Sequence, residues 1–216
     1  MGQRITSLTL QKRNRQRVNV FLDGEFAFGL TRIVAAWLQV GQELSEEKIS
    51  NLMAEDERES AYQRALNWIS YRPRTELEIR NSLRRLSISE EVIAYVIERL
   101  KNSRLIDDPG FARNWVENRS ALRPRGRRAL AFELRQHGVE PEIIETSIGE
   151  IDEEDLAYQA AVRQARKIRT NDWKEFRQKM LRHLASRGFS YGTSADAARR
   201  VWDETSQAEP IRDERA

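Results

Sequence analysis

Near its N-terminus the chain places apolar side chains at every second position, whereas the rest of the chain follows a helical period. Residues 18–22 and 26–30 alternate clearly between apolar and polar, and residues 5–11 do so in part. Asp23-Gly24 lies between the second and third runs and favours a hairpin, because a type I′ turn needs positive φ at both central residues. The pattern therefore predicts a three-stranded antiparallel sheet. Such a sheet is too small to be stable alone and is expected to pack on the segment that follows.

A helical period begins at about Thr31 and predicts a first helix that Gly41 ends. Ser45 suits the N-cap position of a second helix, because its hydroxyl can accept a hydrogen bond from a main-chain N–H of the first turn. No later segment alternates convincingly, so helices are expected from there onwards. The apolar stripe of the first helix consists of Ile33, Val34, Trp37 and Leu38.

The chain also repeats itself. Residues 72–100 align with residues 123–151 without a gap, so that one Arg-Pro-Arg lies over another. A weaker third copy begins near Trp173. Repeats of this length indicate a repetitive architecture in which each unit contacts mainly its neighbours.

Each copy predicts three helices. Pro73 and Pro124 are expected in the first turn of the middle helices, where a missing N–H costs nothing. Gly138 and Gly188 follow the middle helices, at the position that favours a left-handed residue. The helix starts are marked by Ser89, Asp155 and Asp172. The predicted helices are 57–70, 74–86 and 89–101, then 109–121, 125–137 and 141–150, then 152–168, 172–187 and 194–206.

These patterns predict a mainly α-helical protein, in which tandem three-helix repeats form an elongated, curved body behind a small N-terminal antiparallel sheet. The last segment is polar, contains Pro210 and is expected to fray. The predicted divisions are a sheet with a helical lead-in at 1–56, three-helix repeats at 57–107, 108–151 and 152–206, and a frayed tail at 207–216.

The composition narrows the possible chemistry. The 216 residues carry a formal net charge of +3 and no cysteine, which excludes disulfides and thiolate metal sites. No apolar run approaches membrane-spanning length. No metal, phosphate-loop or nucleophile motif occurs, so neither a cofactor nor an enzymatic activity is predicted. The histidines His137 and His183 are expected to cap or pack helix ends. A core position is expected for Trp68, Trp115 and Trp202.

The least expected feature is the segment LRPRGRRAL at 122–130, because the positive end of a helix dipole disfavours arginine at a helix start. The first repeat has Glu76 and Leu77 where the second has Arg127 and Arg128. Two interpretations remain open: a basic surface for an acidic protein or a phosphate, and a solvated loop without a partner. Replacing Arg127 and Arg128 by Glu and Leu is expected to keep or slightly raise thermal stability. The segment's basic residues are Arg123, Arg125, Arg127 and Arg128.

Taken jointly, several blocks resemble the RecX family, bacterial regulators of the RecA recombinase, over roughly residues 3–206. Members of that family often have glycine where Pro124 or its neighbour stands, and the third copy here has an extended joint, SYGTSADA. The blocks that carry the resemblance are ISYRPRTELEIRNSLRRL, RLIDDPGFARNWVENR, LRHLASRGFS and VFLDGEFAFGL.

The resemblance implies a non-enzymatic modulator of the RecA recombinase. The protein is also expected to be cytoplasmic and monomeric, without a cofactor or a membrane association. It would lodge in the groove of the RecA filament and restrain strand exchange and the ATP-dependent and coprotease activities. The alternative is a helical repeat protein that binds nucleic acid directly through phosphate contacts, and whether DNA is touched stays open. The residues expected to contact the filament or DNA are Arg72, Arg74, Arg123, Arg125, Arg127, Arg128, Arg163, Arg166, Lys167, Arg182 and Arg187.

Overall fold

A computed structural model describes residues 2–207 of the chain, and residues 208–216, most of the predicted frayed tail, lie outside the described residues. The contacts divide the chain into two compact units, Met1–Ile106 (unit 1) and Asp107–Ala216 (unit 2). No helix within the described part combines the length and the apolar content that a membrane span requires.

Unit 1 begins with a four-stranded antiparallel sheet in the order β3-β2-β1-β4. The predicted turn is confirmed, because Asp23 and Gly24 have φ values of 51° and 93°. The fourth strand was not predicted, since two residues are too few to alternate. The strands are β1 (Gln3–Leu10), β2 (Arg17–Leu22), β3 (Glu25–Thr31) and β4 (Glu43–Leu44).

One face of the sheet buries an apolar core against the helices that follow. The first helix, α1 (Arg32–Ala35), is only one turn long. The predicted stripe is therefore only half right: Val34 and Leu38 are buried, whereas Trp37 is 88% exposed. Trp37 leaves the apolar face because the helix ends before it. The buried residues of this core include Ile5, Val20, Leu22, Leu30 and Leu52.

The next helix, α2 (Glu46–Tyr71), is continuous for 26 residues. Ser45 caps it as predicted, accepting a hydrogen bond from the Lys48 N–H. The separate helix start predicted at 57 is wrong, because no glycine or proline interrupts the helix formers of this stretch. The N-terminal half of α2 packs on the sheet, where Asp56 accepts hydrogen bonds from the Thr31 N–H and the Arg17 guanidinium.

The remaining helices follow the three-helix prediction to within one helical turn. The three predicted tryptophans pack, partly buried, against the apolar cores. Unit 1 continues with α3 (Glu76–Arg84) and α4 (Glu90–Asn102). Unit 2 contains α5 (Asp108–Leu122), α6 (Arg127–Gln136), α7 (Pro141–Gly149), α8 (Glu153–Ala165), α9 (Trp173–Ser186) and α10 (Tyr191–Gln207).

The two Arg-Pro-Arg prolines lie outside the middle helices, so their predicted place in the first turn is wrong. The N-caps of these helices are Thr75 and Gly126, two residues after each proline. Proline keeps the residue before it extended, and α3 starts only where the Thr75 hydroxyl can accept the Glu78 N–H.

The other predicted markers of helix ends are confirmed. Gly138 and Gly188 have φ values of 77° and 84°, as expected after a middle helix. Ser89 and Asp172 are N-caps. Asp155 lies near a helix start, in the first turn of α8, and donates its N–H to the N-cap residue Asp152.

Candidate functional site

The segment LRPRGRRAL connects α5 to α6 and is attached to the turn between α9 and α10. The Gly126 N–H donates to the Arg187 carbonyl at 2.9 Å. A side chain at Gly126 would collide with the carbonyl group of Gly188. The second and third repeats therefore touch main chain to main chain at this point, and Pro124 beside it is buried.

Arg125, which precedes the N-cap of α6, has a carboxylate partner on that helix. Its guanidinium lies 3.0 Å from Glu133, which also accepts hydrogen bonds from Trp115 Nε1 at 2.8 Å and Arg119 Nε at 2.9 Å. The Glu133 side chain is only 13% exposed. One half-buried carboxylate thus holds two guanidinium groups and an indole, and it fixes α5 against α6.

Arg127 is also held within the chain. Its main-chain N–H donates to Glu153 Oε1 at 2.9 Å, so an acid from the start of α8 serves the positive end of α6. Its guanidinium donates to the carbonyl oxygens of Ile151 at 2.9 Å and Gly149 at 3.4 Å, at the end of α7. The side chains of Arg125 and Arg127 are therefore both bonded within unit 2, the first to a carboxylate and the second to main-chain carbonyls.

Two further arginines of the predicted set, Arg163 and Arg187, donate hydrogen bonds to other groups of unit 2. Arg163 donates to the last carbonyls of α5, those of Leu122 at 2.9 Å and Ala121 at 3.2 Å. Arg187 donates to His183 Nε2 at 2.9 Å and to the Pro124 carbonyl at 3.3 Å.

The two residues of the Arg187–His183 pair have shifted pKa values. Burial lowers the pKa of Arg187, and the positive charges of Arg125, Arg123 and Arg163 lower it further. Burial also lowers the pKa of His183, with smaller contributions from Arg187 and Lys167. The neutral imidazole is thereby favoured, as the hydrogen bond from Arg187 requires an acceptor nitrogen.

The other predicted cations of unit 2 are exposed, and within residues 107–205 no ion pair or side-chain hydrogen bond involves them. Arg166 is the C-cap residue of α8 and Lys167 follows it. Arg128 and Arg182 line the same concavity. This set comprises Arg123, Arg128, Arg166, Lys167 and Arg182.

That concavity, here called the arginine groove, has a volume of about 1170 Å³ and lies among α6, the end of α9 and the start of α10. Its lining mixes charge with exposed aromatic surface: Phe132 is 58% and Tyr191 68% exposed. Ser194 is 1% exposed, and its hydroxyl finds no hydrogen-bond partner in the described chain. Glu133 is the one carboxylate on its wall. The arginines that line it are Arg125, Arg127, Arg128, Arg135 and Arg182.

Sequence reasoning missed Arg135, Phe132 and Tyr191 as groove residues. For α6 a signal was present, because Arg128, Phe132 and Arg135 follow the i, i+4, i+7 spacing of one helix face. For Tyr191 no local signal existed, since it joins them through the packing of another repeat.

The predicted cations of unit 1 occupy the matching Arg-Pro-Arg segment. Arg72 donates to Glu78 at 2.8 and 3.1 Å, and this hydrogen bond raises the pKa of Arg72. Arg74 donates to the Trp68 carbonyl at 3.3 Å. Both contacts lie within the segment and the helices it joins, and nothing places either residue in the arginine groove.

The described residues offer no cluster of metal ligands. Within residues 2–207, no group of three or more His, Asp and Glu side chains could hold a metal ion. His137 is the C-cap residue of α6, and its ring centre lies 4.4 Å from that of Trp115 and 5.3 Å from that of Phe111. A packing role, as predicted, accounts for its surroundings.

Family models match four consecutive segments of the chain. They describe a regulatory protein RecX N-terminal domain at residues 3–45, and the first, second and third three-helix domains of RecX at 61–100, 107–148 and 152–202. The regulatory protein RecX of Bacillus licheniformis is 31% identical over 87% of this chain and 73% of its own length. That of Bacillus subtilis is 30% identical over 96% of this chain and 82% of its own.

Solved structures give the same likeness. A crystal structure of regulatory protein RecX superposes with a TM-score of 0.69 at 27% identity, covering 93% of this chain and 99% of the other. The crystal structure of RecX from Lactobacillus salivarius gives a TM-score of 0.62 at 25% identity, over 68% of this chain and 97% of the other.

Proposed function

Because the chain belongs to the RecX family of regulatory proteins, we propose that it binds the filament of the RecA recombinase on DNA and modulates, mostly by inhibition, its recombinase, ATPase and coprotease activities. This role places it in the cytoplasm, in DNA repair and the SOS response, as a non-enzymatic protein. The observation that carries the proposal is the arginine groove, which gathers five guanidinium groups and one carboxylate in a chain whose net charge is only +3.

The groove arginines divide into two classes by their contacts. Arg125 and Arg127 are bonded to Glu133 and to the carbonyls after α7, so they shape the wall of the groove. Arg128, Arg135 and Arg182 are exposed and bonded to none of the residues described, so their charge is available to a partner. Within this second class we assign the main contact to Arg128 and Arg182.

The chemistry of the groove suits an acidic protein surface. Guanidinium groups bind carboxylates through two parallel hydrogen bonds. Exposed aromatic rings beside arginines are typical of the residues that dominate protein–protein interfaces. On binding, the rings of Phe132 and Tyr191 would be buried against the partner, and Arg128 and Arg182 would pair with its carboxylates.

The second candidate function is direct binding of nucleic acid, which the same two exposed rings also favour. Single strands bind to grooves that combine cations with aromatic rings on which bases stack. Salt distinguishes the two candidates: binding through several phosphates weakens by orders of magnitude between about 50 and 200 mM salt.

A paired substitution tests the assignment. Arg128→Gln with Arg182→Gln removes two groove charges, and Arg113→Gln with Lys174→Gln removes two exposed charges of the same unit outside the groove. Binding is measured against the recombinase filament, free recombinase and bare DNA, together with inhibition of strand exchange. Loss of two charge-assisted contacts of about 1 kcal/mol each weakens filament binding roughly tenfold or more. The control pair is expected to bind like the unaltered protein.

Three results would contradict the assignment. Equal weakening by both pairs would assign the effect to net charge. Unchanged filament binding by the Arg128 and Arg182 variant would remove the groove from the interface. A loss confined to bare DNA, steep in salt, would favour the nucleic-acid function.

A further inference from the structure

Unit 1 contains a second concavity, separate from the arginine groove, where the start of α1 faces α2. Its volume is about 540 Å³. Four polar residues of α2 line it: Ser60, Gln63, Arg64 and Asn67. Their i, i+3, i+4, i+7 spacing places them on one face of the helix. Ser60 is half-buried and the other three are exposed, so this face forms a polar wall that is open to solvent.

The opposite wall is also polar and positively charged. Arg17, Thr31 and Arg32 line it, and no aspartate or glutamate lines the cavity. Arg17 is already neutralised, since it lies 2.9 Å from Asp56 and also donates to Ser60 Oγ at 2.9 Å. The net charge facing the cavity therefore comes from Arg32 and Arg64.

Arg32 and Arg64 have exposed side chains, and among residues 2–207 neither makes an ion pair or a side-chain hydrogen bond. The Arg32 main chain is fixed, because its N–H donates to the Gln16 carbonyl at 2.9 Å. Two guanidinium groups thus border one polar cavity from two elements that the fold holds in place.

Thr31, which also lines the cavity, has an unsatisfied hydroxyl. Thr31 is 7% exposed, and its hydroxyl finds no hydrogen-bond partner in the described part of the chain. Its N–H is engaged by Asp56, so the main chain holds the residue in position. A buried hydroxyl without a partner is unfavourable, so the wall of the cavity contains a polar group that the described fold leaves unsatisfied.

We propose that this cavity binds a phosphate group, carried by a nucleotide or by the 5′ end of a nucleic-acid strand, with Arg32 and Arg64 as its charge partners. The cavity volume falls within the range of small-molecule sites, about 300–1000 Å³. Its walls offer guanidinium, amide and hydroxyl donors to several oxygens at once, which suits a phosphate better than the two oxygens of a carboxylate. The assignment is independent of the filament contact in unit 2.

Calorimetric titration of the full chain tests the proposal with four probes: inorganic phosphate, AMP, and a single-stranded decanucleotide with and without a 5′-phosphate. Arg32→Gln with Arg64→Gln is compared with Arg13→Gln and Lys48→Gln, which removes two exposed charges of unit 1 that do not line the cavity. The first variant is expected to weaken binding of the phosphate-bearing probes about tenfold or more, and the control to leave it unchanged. Arg64→Gln alone provides a second variant if the double substitution lowers the melting temperature.

The source of the phosphate follows from the probes. Tighter binding of AMP than of the phosphorylated strand identifies a nucleotide site, and the reverse order identifies a strand end. Absence of saturable binding to the unaltered protein overturns the proposal. So does equal weakening in the control, or a strand that binds equally well without its 5′-phosphate while AMP and phosphate do not bind.

Discussion

Substituting Arg127 by glutamate tests whether local helix electrostatics or long-range contacts control the start of α6. By local reasoning the substitution should stabilise the protein, because an acid suits the positive end of a helix. The structure reverses that expectation. The Arg127 guanidinium donates to the carbonyls of Gly149, the last residue of α7, and of Ile151. Glu153 already supplies an acid to the main-chain N–H of Arg127.

The expected change in the free energy of unfolding is a balance of three contributions. Loss of the guanidinium bonds costs about 1 kcal/mol at an exposed site, where water can replace them. A new carboxylate close to Glu153 adds repulsion of about 1 kcal/mol in a high dielectric. The favourable interaction of the new carboxylate with the helix dipole stabilises the protein by about 0.3–1 kcal/mol. The net expectation is destabilisation by about 1–2 kcal/mol, which lowers the melting temperature of a chain of this length by roughly 2–8 °C.

Thermal unfolding followed by circular dichroism measures the effect, and the neighbouring residue provides the control. Arg128→Glu makes the same charge change one position later, at a side chain bonded to none of the residues described. It is expected to leave the melting temperature unchanged or to raise it slightly. Adding Glu153→Gln to Arg127→Glu should restore part of the loss by removing the repulsion. A melting temperature for Arg127→Glu equal to or above that of the unaltered protein would refute the reasoning.

Two further predictions concern the joint between the second and third repeats. Gly126→Ala is expected to destabilise unit 2 by about 1–3 kcal/mol, because the new methyl group would collide with the Gly188 carbonyl. The control, Gly149→Ala, has open space around it and should be neutral or stabilising. Equal denaturation midpoints for the two variants would contradict this. Because burial lowers the pKa of His183, this imidazole takes up its proton at a higher pH in the unfolded chain, about 6.5, than in the folded protein. The melting temperature should therefore fall from pH 7 to 5, and less steeply in His183→Gln. The same dependence of melting temperature on pH in both proteins would exclude this contribution.

The parts of the fold that the sequence predicts are those determined by local chemistry. Asp23-Gly24 requires a turn that only a few dipeptides allow, and Gly138 occupies a left-handed position that excludes most other residues. The repeat alignment placed the helices because identical spacings of apolar residues need identical packing. These signals lie within a few residues of the feature they predict.

The candidate site was harder to predict, because its charges are balanced over long distances in sequence. Glu153 meets the N–H of Arg127 from 26 residues away. Arg187 reaches the carbonyl of Pro124 from 63 residues away. No spacing rule connects such pairs, so the sequence identifies the arginine cluster but not the groups that hold Arg127 and Arg187. Only the face shared by Arg128, Phe132 and Arg135 was accessible from periodicity.

The continuous helix α2 fixes the rotational phase between the N-terminal sheet and the first repeat. Its N-terminal half contacts the sheet at Leu52 and Asp56, and its C-terminal half packs in the repeat core at Ala61 and Ala65. Each added residue would rotate one half against the other by about 100° and move it by about 1.5 Å. Insertions of about seven residues, two full turns, would restore the phase. Insertions or deletions between residues 56 and 61 are therefore expected only in lengths that correspond to whole helical turns.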